Sequence, residues 1–145
     1  MAEGFLRDFG GDAYEAHSAG TTPSAVNPLA VEAMREAGVD ISQQRSKNVT
    51  EYLGQHFPVI ITVCDNAAKN CPIFPGPALR LHWPFQDPAE ATGTPEERIA
   101  AFRKVRDEIA LRIQSWIAER QSPANYTLYL EAVMRRAPHN VLFVV

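Results

Sequence analysis

Two cysteines, one aspartate before a proline and four histidines carry most of the chemical possibilities in this 145-residue sequence. Cys64 ends the apolar run "PVIITVC", and Cys71 follows six intervening residues later in "CDNAAKNCP". Such a pair can open and close by thiol–disulfide exchange, provided the loop folds back to bring the Cα atoms within about 7 Å. The same spacing also allows two unrelated buried thiols. It fits no common zinc pattern, which uses four ligands at short spacing. Asp87, in "WPFQDPAE", precedes Pro88. An Asp-Pro pair often marks a turn, and it can equally hold a general acid on a loop beside a site. His17 and Ser18 fall at a strand end and read as ordinary hydrogen-bonded residues. His56 and His139 read as surface or loop residues, and His82, beside Trp83, as a packed one.

The elements that must position these groups follow from periodicity. Cys64 closes an apolar strand, and in open α/β sheets ligands and catalysis gather beyond the carboxyl ends of strands. Strands are expected near 13–19, 58–64, 79–83 and 140–145. The last lies in "HNVLFVV", whose continuous β-branched and aromatic run suits a strand buried on both faces. Helices are expected at "MAEGFLRDFGG", ended by Gly10-Gly11, and at 27–38, with Asn27 as cap and Pro28 at the first helical position. A further helix spans 95–120 behind Thr94 and Pro95, with Ile99, Phe102, Ile109, Ile113, Trp116 and Ile117 on its buried face. A short helix is expected in "VTEYLGQHF", a loop over 64–77, and another helix in "NYTLYLEAVMRRA". Strands alternating with helices give an α/β fold: three layers, α/β/α, around a mainly parallel four-stranded sheet.

Composition narrows the partners. The net charge is −3, which argues against nucleic acid or an anionic membrane as the main partner. No stretch approaches 18 consecutive apolar residues, so no membrane span is expected. The front of the sequence lacks the basic and apolar regions of a signal peptide, and two cysteines without an export signal point to the reducing cytoplasm.

Taken in order, "MAEGFLRDFGG", "HSAGTTPSAVNPLAVEAMREAGVDIS", "TVCDNAAKNCP", "LHWPFQDPA" and "FRKVRDEIALRIQSWI" resemble the thioredoxin-coupled arsenate reductases, which share the fold of the low-molecular-weight protein tyrosine phosphatases. The resemblance covers residues 1 to about 120. Its most specific part is the Cys-x6-Cys pair followed by His-Trp-x-Phe-x-Asp-Pro, because plain phosphatases of this fold generally lack that cysteine pair. The resemblance implies reduction of arsenate to arsenite by a cysteine relay that thioredoxin regenerates. It makes Cys64 the first resolving thiol, Cys71 the second and Asp87 the general acid, and calls for no bound cofactor. Some relatives hold a potassium ion. Glu3 and Ser18 match two of its ligands, but Lys47 stands where those relatives carry an acid, so no metal is expected here.

One family feature is missing. The nucleophilic loop, Cys-x5-Arg, occurs nowhere: the residue six after Cys64 is Asn70 and six after Cys71 is Pro77. Yet 140–145 looks like the family's first strand placed last. The expectation is one domain over 1–145, with a family-like part at 1–121, a helical connector at 122–139 and a strand at 140–145 in the place of the first strand. Such a chain is expected to be inactive alone. A homodimer formed by exchanging that strand, a non-catalytic redox or anion-binding module, and a relative of the tyrosine phosphatases are the alternatives.

Overall fold

The computed structural model describes residues 1–22, 25–121 and 139–145. Its chain order is α1 (Ala2–Gly10), β1 (Tyr14–Ala19), α2 (Pro28–Glu36), β2 (Val59–Thr62), α3 (Asp65–Asn70), β3 (Leu79–His82), α4 (Pro95–Gln121) and β4 (His139–Val144). The apolar tail forms the centre of the sheet. The strand order is β1-β4-β2-β3, and every pairing is parallel. Phe143 lies opposite Ser18 on one side and Ile61 on the other.

A central position explains the composition of β4. Val141, Leu142, Phe143 and Val144 are each at most 1% exposed. Val141 and Phe143 face one layer, while Leu142 and Val144 face the other, as the period of two requires. Full burial of four such side chains is worth roughly 6–12 kcal/mol as an upper figure. That rivals the entire net stability of an ordinary domain, about 5–15 kcal/mol.

The first layer holds α1, α2 and α4 over a core that includes Phe5, Leu6, Met34, Phe102, Ile113 and Trp116. α1 ends at Gly11, whose φ of +53° suits glycine, and Phe5 and Phe9 stack along one face at 5.2 Å. In α2 the Asn27 side chain accepts the Leu29 N–H at 2.9 Å. In α4 the Thr94 hydroxyl accepts the Glu97 N–H at 3.2 Å, while Val105 joins the expected buried stripe. Arg103 grips the Glu36 carboxylate at 2.7 and 2.8 Å and locks α4 to α2. No helix among the described residues is long and apolar enough to cross a membrane.

The second layer is thin: α3, the segment 49–57 and the loop around Phe74 cover Ile60, Leu142 and Val144. It is also where expectation and structure part. The 64–77 loop contains a helix, α3, because Ala67 and Ala68 favour helix, Cys64 caps it and Pro72 ends it. The helix expected over 49–57 is only a 3₁₀ turn, Val49–Tyr52, capped by Asn48 and followed by Gly54 at φ +87°. His139 is the first residue of β4, paired with Tyr14, rather than a loop residue or part of the connector. The helix expected within 125–137, and the rest of the 122–138 connector, lie outside the described residues.

Candidate functional site

β2 delivers the first cysteine. Its four residues are buried, and Val63 N–H donates to Val144 C=O at 3.0 Å, so the chain leaves the sheet only at Cys64. Cys64 is extended, with φ −150° and ψ 161°, and stands at the N-cap of α3. There its sulfur accepts the Ala67 N–H at 3.3 Å while its carbonyl accepts the Ala68 N–H at 3.1 Å. Seven residues later Cys71 closes the helix in extended conformation, φ −66° and ψ 122°. The Cys71 sulfur approaches Pro72 C=O at 3.6 Å and an Arg80 guanidinium nitrogen at 3.9 Å. Both thiols are free, partly buried, and packed against the layer that contains Phe57, Phe74 and Val144.

The pair thus caps the two ends of one helix. Seven steps at 1.5 Å each set the sulfur-bearing residues about 10 Å apart along the axis. A disulfide needs Cα atoms within about 7 Å. Closing a bridge therefore requires α3 to unwind, and the structure presents the dithiol form.

A side-chain chain pins the start of this helix. Thr62 Oγ1 lies 2.8 Å from His82 Nδ1, and His82 Nε2 lies 3.0 Å from Asp65 Oδ1. With Nδ1 accepting the Thr62 hydroxyl, Nε2–H donates to Asp65, which satisfies a neutral imidazole. β2, β3 and the first turn of α3 are joined at the carboxyl edge of the sheet. From sequence His82 reads as a packing residue. Its polar role is visible only once β3 is placed beside β2, with Thr62 opposite His82.

Phe85 N–H donates to Val63 C=O at 3.1 Å and carries the chain past the exit of β2 toward Asp87. The Asp87 carboxylate is exposed and accepts the Ala89 N–H at 2.9 Å, capping a short 3₁₀ turn. That is the turn role an Asp-Pro pair often has. His17 pairs with Glu15 at 3.1 Å and packs edge-on against Tyr52 and Phe57. His56 bonds Pro77 C=O at 2.6 Å.

Glu3 is the buried acid among the described residues, 2% exposed. Its Oε1 faces Arg7 at 3.4 Å and the Lys47 ammonium at 3.8 Å, while Oε2 is buried without a hydrogen bond. Arg7 also donates to Ala16 C=O at 3.0 Å, tying α1 to β1. Lys47 is 10% exposed and already supplies positive charge to Glu3, so these residues do not fit a potassium ion. Among the described residues no group of three His, Cys, Asp or Glu side chains is placed to hold a metal.

The family model for low molecular weight phosphotyrosine protein phosphatases matches residues 1–124. An arsenate reductase of Halalkalibacterium halodurans is 47% identical over 116 residues, covering 80% of this chain and 84% of the relative. An arsenate reductase of Bacillus subtilis is 42% identical over the same shares. Among solved structures, an arsenate reductase in its oxidized state aligns with a TM-score of 0.69 at 28% identity, over 82% of this chain and 86% of that one. An arsenate reductase in its reduced state aligns at 0.63 over the same shares. With its parallel sheet, its thiols at the sheet's carboxyl edge and these relatives, the chain belongs to the low molecular weight phosphotyrosine protein phosphatase family, among the arsenate reductases of that fold.

Proposed function

We propose that this chain provides the resolving half of an arsenate-reducing thiol relay. The observation that carries the reading is the placement of Cys64 and Cys71 at the two ends of α3, beyond a buried parallel strand. In the relay a nucleophilic thiolate forms a sulfur–arsenic bond with arsenate, and Asp87 protonates the leaving oxygen. The Cys64 thiolate then attacks the sulfur of that adduct. A disulfide forms, the sulfur–arsenic bond breaks, and its electron pair leaves with arsenite, so arsenic is reduced by two electrons. Cys71 attacks the Cys64 sulfur next, which frees the nucleophile and closes the Cys64–Cys71 disulfide as α3 unwinds. The dithiol of thioredoxin returns two electrons and two protons. Such a cycle belongs in the reducing cytoplasm.

The nucleophile is the part these 145 residues do not contain, since they hold no Cys-x5-Arg. β4 takes the place of the family's first strand. Its central slot between β1 and β2 and its four buried apolar residues support that assignment. The Cys-x5-Arg loop must therefore come from another segment or chain, and these 145 residues by themselves do not turn over arsenate.

Two measurements test the reading. Mild oxidation of the folded chain removes both free thiols, and thioredoxin with thioredoxin reductase and NADPH restores them. The same mixture with arsenate shows no arsenate-dependent NADPH oxidation. Two thiols that persist under oxidant in a folded chain end the relay, and arsenate turnover at family-like rates ends the claim that the nucleophile lies elsewhere.

A further inference from the structure

A relay that closes a Cys64–Cys71 bridge must also be opened, and the reductant needs a surface to hold. Cys71 opens a segment with an unusual surface. Pro72 and Pro75 lack N–H groups and fix their own φ angles, so the chain between them is stiff. Phe74 anchors it: this side chain is 4% exposed and meets the Phe57 ring edge-on at 5.7 Å. Ile73 points the other way and is 89% exposed, more than Leu111 at 66%, Val145 at 54% or Leu53 at 46%. Neither the N–H nor the C=O of Ile73 has a hydrogen-bond partner among the described residues. A stiff segment with unpaired backbone groups and an apolar side chain aimed at solvent is open to a partner that adds a strand beside it. Single exposed apolar residues are common and carry no meaning alone. This one sits two residues from a thiol that must exchange with another protein.

We propose that Pro72-Ile73-Phe74 is the docking edge for the dithiol protein that reduces the Cys64–Cys71 disulfide, with Ile73 as its apolar anchor. The proposal rests on the relay reading and names the surface it uses. The partner lays an extended segment beside Ile73, pairs with its free N–H and C=O, and covers its side chain. Arg80 lies 3.9 Å from the thiol sulfur and Lys69 stands two residues before it in the last turn of α3; neither forms an ion pair among the described residues, so the matching face is apolar at its centre and acidic at its rim. Docked there, one partner thiolate attacks the Cys71 sulfur. A mixed disulfide forms and Cys64 leaves as thiolate, taking up a proton and regaining the Ala67 N–H as α3 re-forms. The partner's second thiol, once deprotonated, attacks the sulfur of the partner's first cysteine in the mixed disulfide, closes the partner's own disulfide and releases Cys71 as thiolate, which takes up a proton. Two electrons and two protons pass to this chain, and the partner ends as a disulfide.

The test compares two reductants on the oxidised full chain. Ile73→Glu lowers the second-order rate constant for reduction by thioredoxin about tenfold, the scale of a lost interface anchor, and Ile73→Ser lowers it several-fold. Reduction by dithiothreitol, which needs no docking, stays unchanged in both. Leu111→Glu, on the exposed side of α4, leaves both rates as they were. Equal thioredoxin rates for all variants overturn the proposal. So does a parallel loss with both reductants, which would place the effect in the disulfide itself. A chain that forms no Cys64–Cys71 disulfide gives a different result, with nothing to reduce, and removes the relay together with its docking edge.

Discussion

If the Cys64–Cys71 bridge can close only when α3 unwinds, weakening α3 must favour the bridge. Ala68 is the residue to change. It is exposed, it lies inside the helix, and its N–H donates to Cys64 C=O at 3.1 Å. Glycine at an exposed interior helix position costs about 0.8–1.0 kcal/mol relative to alanine. That cost falls on the dithiol form, which has the helix, and not on the disulfide form. Reduction of Ala68→Gly is therefore less favourable than in the unaltered chain. For a two-electron couple 1.4 kcal/mol corresponds to about 30 mV, so the potential becomes more negative by about 20 mV. Equivalently, the disulfide gains about four- to fivefold at equilibrium. The assay equilibrates the chain against a series of thiol–disulfide buffers and counts free thiols by alkylation. Ala100→Gly, at an exposed position of α4, carries the same helix penalty with no link to the thiols, and its potential should not move. An unchanged potential in Ala68→Gly, or a shift of equal size in Ala100→Gly, would refute the claim that bridge closure and helix unwinding are one event.

The central strand and the acid limb of stability give two more expectations. Phe143→Ala removes a side chain that is 1% exposed and packs 6.3 Å from the Trp83 ring, so it should lose about 3–5 kcal/mol in denaturant unfolding with the slope unchanged. Hydrogen bonding to Arg103 holds the Glu36 carboxyl below its ordinary range, ahead of the other charges around it. A depressed carboxyl stabilises the fold above its unfolded value and loses that contribution as pH falls through its folded value. Thermal melts of Glu36→Gln should thus show a shallower decline below the usual carboxylate range than melts of the unaltered chain, and identical slopes in that window would contradict the α2–α4 ion pair.

How far the sequence could be read depended on whether a feature is local. Asn27, Pro28, Thr94 and the two phenylalanines of α1 act on neighbours within four residues, and their elements appear where spacing puts them. The β4 run declared its double burial by carrying no polar residue from Val141 to Val145, and it occupies the one kind of slot, a central parallel strand, that such a run suits. What stayed hidden depends on partners distant in sequence. His82 is twenty residues from Thr62 and seventeen from Asp65, so nothing near it announced the hydrogen bonds. Lys47 meets Glu3 across more than forty residues, a neighbourhood that only the family resemblance, not local patterning, pointed to. The helix between the cysteines is hidden for another reason. "DNAAKN" offers only six helical residues, too few for propensity to outweigh the turn-forming asparagines and the prolines that follow.

That shortness bears on the chemistry. A six-residue helix is unstable by itself in water, because nucleation fixes several dihedrals for each early hydrogen bond. α3 persists through a few additions: the buried Ala67 methyl, the Cys64 cap and the Asp65–His82 bond. Two of these lie within the first turn and one is a thiol that oxidation removes from its role. When Cys64 enters a disulfide, the Ala67 N–H loses that thiol's cap, and the remaining contacts hold too little of the helix to resist the pull of Cys71 toward it. A longer or better-buried helix would oppose the bridge, and a flexible loop would leave Cys64 without an N–H to return to. In that view the weakness of α3 is what lets one segment alternate between a capped dithiol and an unwound disulfide, while the β2–β4 core beneath it stays fixed.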